Sequence, residues 1–234
     1  NNLIKKVNID KNKYLFFSAI ATICDQMPLR KINKKIVKSG LKNFNISSFS
    51  NFKKILKIKN KISSSDVGFN LGPLLNSSSR LGYSELPIKL LIESSTNSII
   101  ALSDKLINLN LKRKIIQTET FKLLNNNTEF IKNEVIFKFD ANINEGLIGI
   151  IAANFVELYG KPSFVLTKSN KYIKCSSRSI NGFNIGKIFH EALNNKILLK
   201  GGGHSMAGGC LLKDNKINEF KNFLNSKFNK NFKN

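Results

Sequence analysis

The 234 residues are enough for one large or two small domains with a buried core. Lys and Arg total 38 against 15 Asp and Glu, and the net charge of +23 favours polyanionic partners. No run of 18 apolar residues and no signal-peptide pattern is visible, so a membrane-spanning or secreted chain is not expected. Cys24, Cys175 and Cys210, in no metal-ligand spacing, fit a reducing cytoplasm.

The charge is uneven. Residues 1–66 hold 15 basic and 3 acidic residues, residues 67–128 hold 7 and 4, and residues 129–234 hold 16 and 8. Lysines number 34 and asparagines 33, a bias that an AT-rich coding sequence also produces. The 4 arginines are therefore the more informative cations. Arg80 and Arg178 sit in motif-like surroundings, where a planar fork suits phosphate better than an ammonium does. The chain opens Asn1-Asn2 and is expected to be a piece of a longer protein.

In chain order, Tyr14 to Thr22 is an apolar segment that runs into Cys24-Asp25, with Pro28 three residues on. A carboxylate at the end of such a segment is a candidate metal ligand or base; a turn cap is the plainer alternative. Residues 31–62 read as short basic helices, with Ile36, Val37, Phe52, Ile55 and Leu56 as apolar contacts. Gly68 to Gly82 is dense in glycine and small polar residues, and reads as a loop able to lie close to a ligand. Ser84 is placed to cap a helix with Pro87 in its first turn. From about Asn97 a longer helix follows, with Ile99, Leu102, Leu106, Leu109 and Ile116 on one face, interrupted by Arg113. It is expected to join two lobes and to end in Asn125-Asn126-Asn127.

The remainder alternates between strands and helices, which predicts a sheet flanked by helices. Glu134 to Asp140 reads as a strand with Val135, Phe137 and Phe139 on one face. Asn144-Glu145-Gly146 opens a helix to about Leu158, with Ile150, Ile151, Phe155 and Leu158 inward. Strands are expected at Pro162–Leu166, Tyr172–Ser176 and Cys210–Leu212, and helices over Asn184–Leu193 and across Ile217, Phe220, Leu224 and Phe228. The run Gly201-Gly202-Gly203-His204, followed by Gly208-Gly209, predicts a phosphate-holding loop. Bare glycine backbone admits an anion closely, and the histidine adds a donor. A plain glycine turn is the alternative.

Five motifs in this order resemble the RecJ family of the DHH phosphoesterase superfamily: Ala21-Thr22-Ile23-Cys24-Asp25, Gly68 to Gly82, Gly146 to Ile150, Ser177-Arg178-Ser179, and Gly201 to His204. The resemblance covers nearly the whole chain, and Leu71-Gly72-Pro73, Asn76 and Arg80-Leu81 carry its most specific part. It implies an α/β protein of two lobes joined by a long helix. Residues 1–66 would be the C-terminal part of a DHH catalytic domain, residues 67–128 the connector, and residues 129–234 a DHHA1 domain. It implies a single-stranded-DNA-specific exonuclease of DNA repair and recombination, with single-stranded DNA as partner. Two divalent metal ions, Mn2+ or Mg2+, would be its cofactors. By the same resemblance Asp25 is a metal ligand, and Asp25 and His204 are catalytic. Asn76, Arg80, Arg178, Ser179, Gly201, Gly202, Gly203 and His204 would contact phosphate.

The Asp-His-His signature is not among these residues, so the chain alone is expected to be inactive. Three departures stand out: Ser77-Ser78-Ser79 replace the usual Ala-Ala-Gly, Ser177 replaces a glycine, and Asn144 replaces a histidine. Two alternatives remain open at this point. One is a phosphodiesterase acting on oligoribonucleotides or cyclic dinucleotides. The other is a non-catalytic nucleic-acid-binding module.

Overall fold

The structure, a computed structural model, describes residues 11–44, 61–126 and 129–232. Phe52, Ile55 and Leu56 therefore lie outside the described residues. The chain divides into two compact units, Asn1–Lys112 and Arg113–Asn234. No described helix is long and apolar enough to cross a membrane.

The first unit is helical. Helix α1 (Lys11–Cys24) packs on α2 (Lys31–Phe44). Phe16 and Phe44 are fully buried, with ring centroids 4.6 Å apart. Each such burial contributes about 2–3 kcal/mol by area. Helix α1 ends where Gln26 adopts a left-handed φ of 52° and Pro28 follows. The segment expected to be a loop from Gly68 to Gly82 is instead mostly helical. A short α3 (Ser64–Asp66) runs into a π-helical turn, Val67–Leu71, and then α4 (Gly72–Arg80). Its serines are compatible with helix because their hydroxyls bond back to the preceding turn, Ser77 to the carbonyl of Leu74 and Ser79 to that of Asn76. Ser77 and Ser78 are buried, which explains why only small residues serve there.

Helix α5 (Leu86–Ile92) has Pro87 in its first turn, but the residue at its cap is Glu85, not Ser84, and it makes no side-chain cap bond. The predicted long helix is α6 (Thr96–Asn125). Ile99 and Leu106 are buried in the core of the first unit, with Leu102 and Leu109 against it. Ile116, Phe121 and Leu124 pack into a core of the second unit.

The second unit is a five-stranded sheet with the order β1-β2-β3-β5-β4. Strands β1 (Ile136–Phe139) and β2 (Ser163–Ser169) are parallel, joined through helix α7 (Ile148–Tyr159). The other pairs are antiparallel: β3 (Tyr172–Arg178) lies between β2 and β5 (Ala207–Leu212), and β4 (Lys200–Gly203) is at the edge. Helices α8 (Ile185–Asn194) and α9 (Ile217–Phe232) complete the unit.

At β2 the sheet is covered on both faces, so this strand buries five consecutive residues. Phe164 and Leu166 meet a core shared with Phe183, Phe189, Phe220 and Leu224. Val165 and Ile136 meet Ile151 and Phe155 of α7. Leu158, expected inward, is 56% exposed in the last turn of α7, and Phe139, expected on one face with Val135 and Phe137, is 40% exposed where β1 ends.

Candidate nucleic-acid interface

In the first unit, Asp25 follows the last residue of α1, and its amide donates to the carbonyl of Ala21 at 2.9 Å. Its carboxylate is exposed. The end of α1 is drawn against the start of α4 at Gly72. A Cβ there would lie 2.6 Å from Cys24 Sγ and 3.2 Å from the carbonyl oxygen of Val67. This approach brings Asp25 beside Asn76, and the two line one pocket of about 530 Å³ with Ala21, Thr22, Cys24 and Met27. Half-burial in that wall raises the pKa of the Cys24 thiol, so it is neutral at pH 7. Arg80 is one turn beyond Asn76 on the same side of α4 and is half-buried.

A divalent ion takes hard oxygen ligands of the kind Asp25 offers. Among the described residues, no three His, Cys, Asp or Glu side chains come together to hold an ion. These residues thus fit as one ligand of a metal centre and not as the centre itself.

In the second unit, the glycine run differs from the expected loop. Gly201, Gly202 and Gly203 belong to edge strand β4, paired with Cys210, Gly209 and Gly208 of β5. The turn is His204-Ser205-Met206. Its carbonyls face the start of α8: the amides of Ile185 and Gly186 donate to Ser205 and His204, each at 3.0 Å. These first helical amides, free at most helix ends, are therefore engaged within the protein. His204 donates its amide to Ala207 at 2.8 Å and exposes its side chain.

The glycines divide by sheet face. Gly208 faces α8, where a Cβ would lie 2.6 Å from Ile185 and 2.9 Å from Phe189. Gly202 faces the opposite side, where a Cβ would meet nothing within 4 Å. The run is thus partly a seat for α8 and partly an open floor.

Arg178 closes β3 on the open side. It pairs in register with Ala207, whose carbonyl receives the His204 amide, so Arg178 and His204 share one end of the sheet. The guanidinium donates to the carbonyl of Ser177 at 2.8 Å and lies against the first turn of α7. There a Cβ on Gly149 would come within 3.4 Å of Nη2 and 3.0 Å of Ser176 Oγ. Burial lowers the Arg178 pKa from its ordinary value, and a partly dehydrated guanidinium is a stronger partner for an anion. Ser179 is buried and turned inward. Its hydroxyl donates to Phe183 at 2.5 Å and its amide to Met206 at 2.9 Å. It ties the β3 end to the hairpin turn instead of presenting a donor to a ligand.

Sequence reasoning brought forward Arg178 and His204 but missed what positions Arg178. Gly149 was visible only as part of a motif, and the alternation along β3 that puts Ser176 beside Arg178 was the available signal.

Residues 132–230 match the family model described as the DHHA1 domain. The single-stranded-DNA-specific exonuclease RecJ of Bacillus subtilis (strain 168) is 28% identical over 225 residues, which is 92% of this chain and 28% of that protein. The crystal structure of RecJ in complex with Mg2+ from Thermus thermophilus matches with a TM-score of 0.84 at 24% identity, covering 94% of this chain and 35% of the other. The Mn2+ complex from the same organism matches with a TM-score of 0.83 at 25% identity, covering 94% and 33%. The chain spans less than a third of the length of the Bacillus relative.

Proposed function

This chain is a RecJ-like DHH/DHHA1 protein, and on that premise we propose that it forms part of a cytoplasmic single-stranded-DNA-specific exonuclease of DNA repair and recombination. The observation that carries the reading is Arg178, half-buried against Gly149 at the rim of an exposed glycine floor, with His204 at the same end of the sheet. A guanidinium so held grips phosphate in two-pronged fashion, and bare backbone beside it admits a sugar–phosphate chain without regard to sequence.

The reaction is phosphodiester hydrolysis. A water oxygen bonds to phosphorus, the bond from phosphorus to the leaving nucleotide oxygen breaks, and that oxygen takes up a proton. Mn2+ or Mg2+, where bound, would supply an activated water and neutralise charge on the leaving oxygen. Asp25 offers one carboxylate oxygen to such an ion, and Asn76 beside it offers an amide to substrate or water. Within the second unit, Arg178 and His204 bind backbone phosphate of the strand, the guanidinium through two donors and the imidazole through one. Ser179 acts by position, fixing the turn that carries His204. Arg80 is a further phosphate contact on the exposed side of α4.

The test is Mn2+-dependent turnover by the full-length protein on single-stranded DNA, duplex DNA and short RNA. Single-stranded DNA should be degraded and duplex spared. Asp25→Ala should abolish turnover while leaving DNA affinity in EDTA unchanged. His204→Ala and Arg178→Lys should each lower kcat/KM by about 10²-fold or more. Preference for short RNA or cyclic dinucleotides would replace the DNA reading. Near-normal turnover of Asp25→Ala with a lowered Tm would reduce Asp25 to a turn cap. The 234 residues alone are expected to bind single-stranded DNA in a salt-dependent manner and not to hydrolyse it.

A further inference from the structure

The open face of the sheet continues beyond Arg178. Side chains alternate along strands, so β3, β5 and β4 present three rows on that face: Arg178 with Ala207, then Ser176 with Gly209 and Gly202, then Lys174 with Leu211 and Lys200. Helix α7 lies over β2 and β3, and α8 covers the other face of β4 and β5. The middle row is therefore bare at β5 and β4: a Cβ on Gly209 would meet only the Cys175 carbonyl at 3.5 Å, and both Gly202 and Gly209 are exposed. The third row lines a pocket of about 520 Å³ with Ser169, Lys174, Lys200, Gly201, Gly209 and Leu211 on its walls.

We infer that Lys174 and Lys200 form a second phosphate subsite, which holds the backbone of a single strand after it leaves Arg178 and crosses the glycine floor. The inference rests on the nucleic-acid reading above and names a path within it. Arg178 and Lys174 are four residues apart on one strand, about 13 Å. A single internal phosphate cannot engage both, whereas a longer strand can. Lys174 and Lys200 flank Leu211 from the two neighbouring strands, about 10 Å apart. Two cations beside one half-buried apolar side chain suit two successive phosphates with a base laid over the leucine.

One acidic group opposes this arrangement. Glu145 Oε2 accepts from Lys174 Nζ at 3.2 Å and from Ser169 Oγ at 2.9 Å, and these two bonds hold its carboxyl below the usual carboxylate range. About half of each side chain of the Lys174–Glu145 pair is exposed, so the pair is weak and a phosphate can displace Glu145 from it. Neutralising Glu145 should therefore strengthen binding, the opposite of what removing the lysines does.

The experiment uses the 234-residue chain, a fluorescent oligothymidylate of about twenty nucleotides and a thymidine dinucleotide, titrated in EDTA over a range of salt. Lys174→Gln with Lys200→Gln should weaken the long strand about tenfold and flatten its salt slope by about 1.4, which corresponds to two phosphate contacts. The dinucleotide should bind as before. Glu145→Gln should bind the long strand several-fold more tightly. All three positions are exposed or half-exposed, and an unchanged Tm checks the fold. An unchanged slope in the double variant, or an equal loss for the dinucleotide, would overturn the subsite. Loss of long-strand binding by Glu145→Gln would do the same. If Arg178→Ala weakens binding and the double variant does not, the subsite fails and the nucleic-acid reading stands. If the unaltered chain binds neither probe, both fail.

Discussion

The two units use glycine for opposite ends, and the hairpin of the second uses it for both. In the first unit Gly72 is enclosed: a Cβ would press on Cys24 Sγ and the Val67 carbonyl, and the glycine exists to let two helices meet. In the hairpin, Gly208 is equally enclosed by Ile185 and Phe189, while Gly202, its neighbour across one strand and one residue along, faces open space. A run of glycines is therefore not one signal. What each contributes depends on what its missing side chain would have touched, and alternation along the strand decides that. Helix seating and an exposed floor come from the same few residues.

The sharpest way to break this comparison is to put valine at each hairpin position. Gly208→Val should destabilise by about 3 kcal/mol or more, since the surrounding atoms are backbone and packed rings with little room to move. Gly202→Val should change stability by no more than about 0.5 kcal/mol, because nothing lies in its way and a β-branched residue suits a strand. Gly202→Val should nevertheless weaken single-strand binding, since its branched side chain would stand on the floor. Denaturant unfolding separates the two effects. Equal destabilisation by both would remove the distinction between seat and floor.

A smaller effect sharpens the first unit. Gly72→Ala should cost about 1–3 kcal/mol by pushing against Cys24 Sγ. Cys24→Ala should recover much of that loss, because the remaining Cys24 Cβ would lie an ordinary 3.7 Å away. A coupling of about 1 kcal/mol or more in the double-mutant cycle is expected. Additive losses would mean that the α1–α4 approach is not what positions Asp25 beside Asn76.

Much of this was legible in the sequence, and the exceptions have physical causes. Helices α6 and α9 and strands β2 and β3 followed from apolar period, since their side chains report which way they point. The mixed α/β class followed from the alternation of such segments. Glycine has no side chain to report a face, so the Lys200–Gly203 strand read as a loop. The Gly68–Gly82 segment read as a loop because serine and glycine disfavour helix on their own. Tertiary packing overrides that preference, with Ser77 and Ser78 buried and Leu71, Leu74 and Leu75 in the core. Asp25, Asn76, Arg178 and His204 were visible as residues, but the contacts that set them were not. Cys24 against Gly72 and Gly149 against Arg178 join positions far apart in the chain, and no local pattern encodes them.

The smallest expected effect concerns how the helical stretch carrying Asn76 and Arg80 begins. Ser63 Oγ accepts from the Asp66 amide at 3.1 Å, and Asp66 Oδ2 accepts from the Ser63 amide at 2.9 Å and its hydroxyl at 2.6 Å, a reciprocal capping box. The two bonds from Ser63 hold the Asp66 pKa below its ordinary value. A carboxylate with a depressed folded pKa contributes stability above its unfolded pKa of about 3.9 and loses it as pH falls through the lower folded value. Ser63→Ala should therefore cost about 1 kcal/mol at neutral pH, the usual worth of such a cap. Its difference from the unaltered chain should narrow below about pH 4, where Asp66 in the unaltered chain begins to take up a proton. Thermal unfolding at the two pH values reads both quantities. A constant difference would show that the hydroxyl cap acts without the carboxylate, and no difference at neutral pH would show that the π-helical turn behind it holds the helix start unaided.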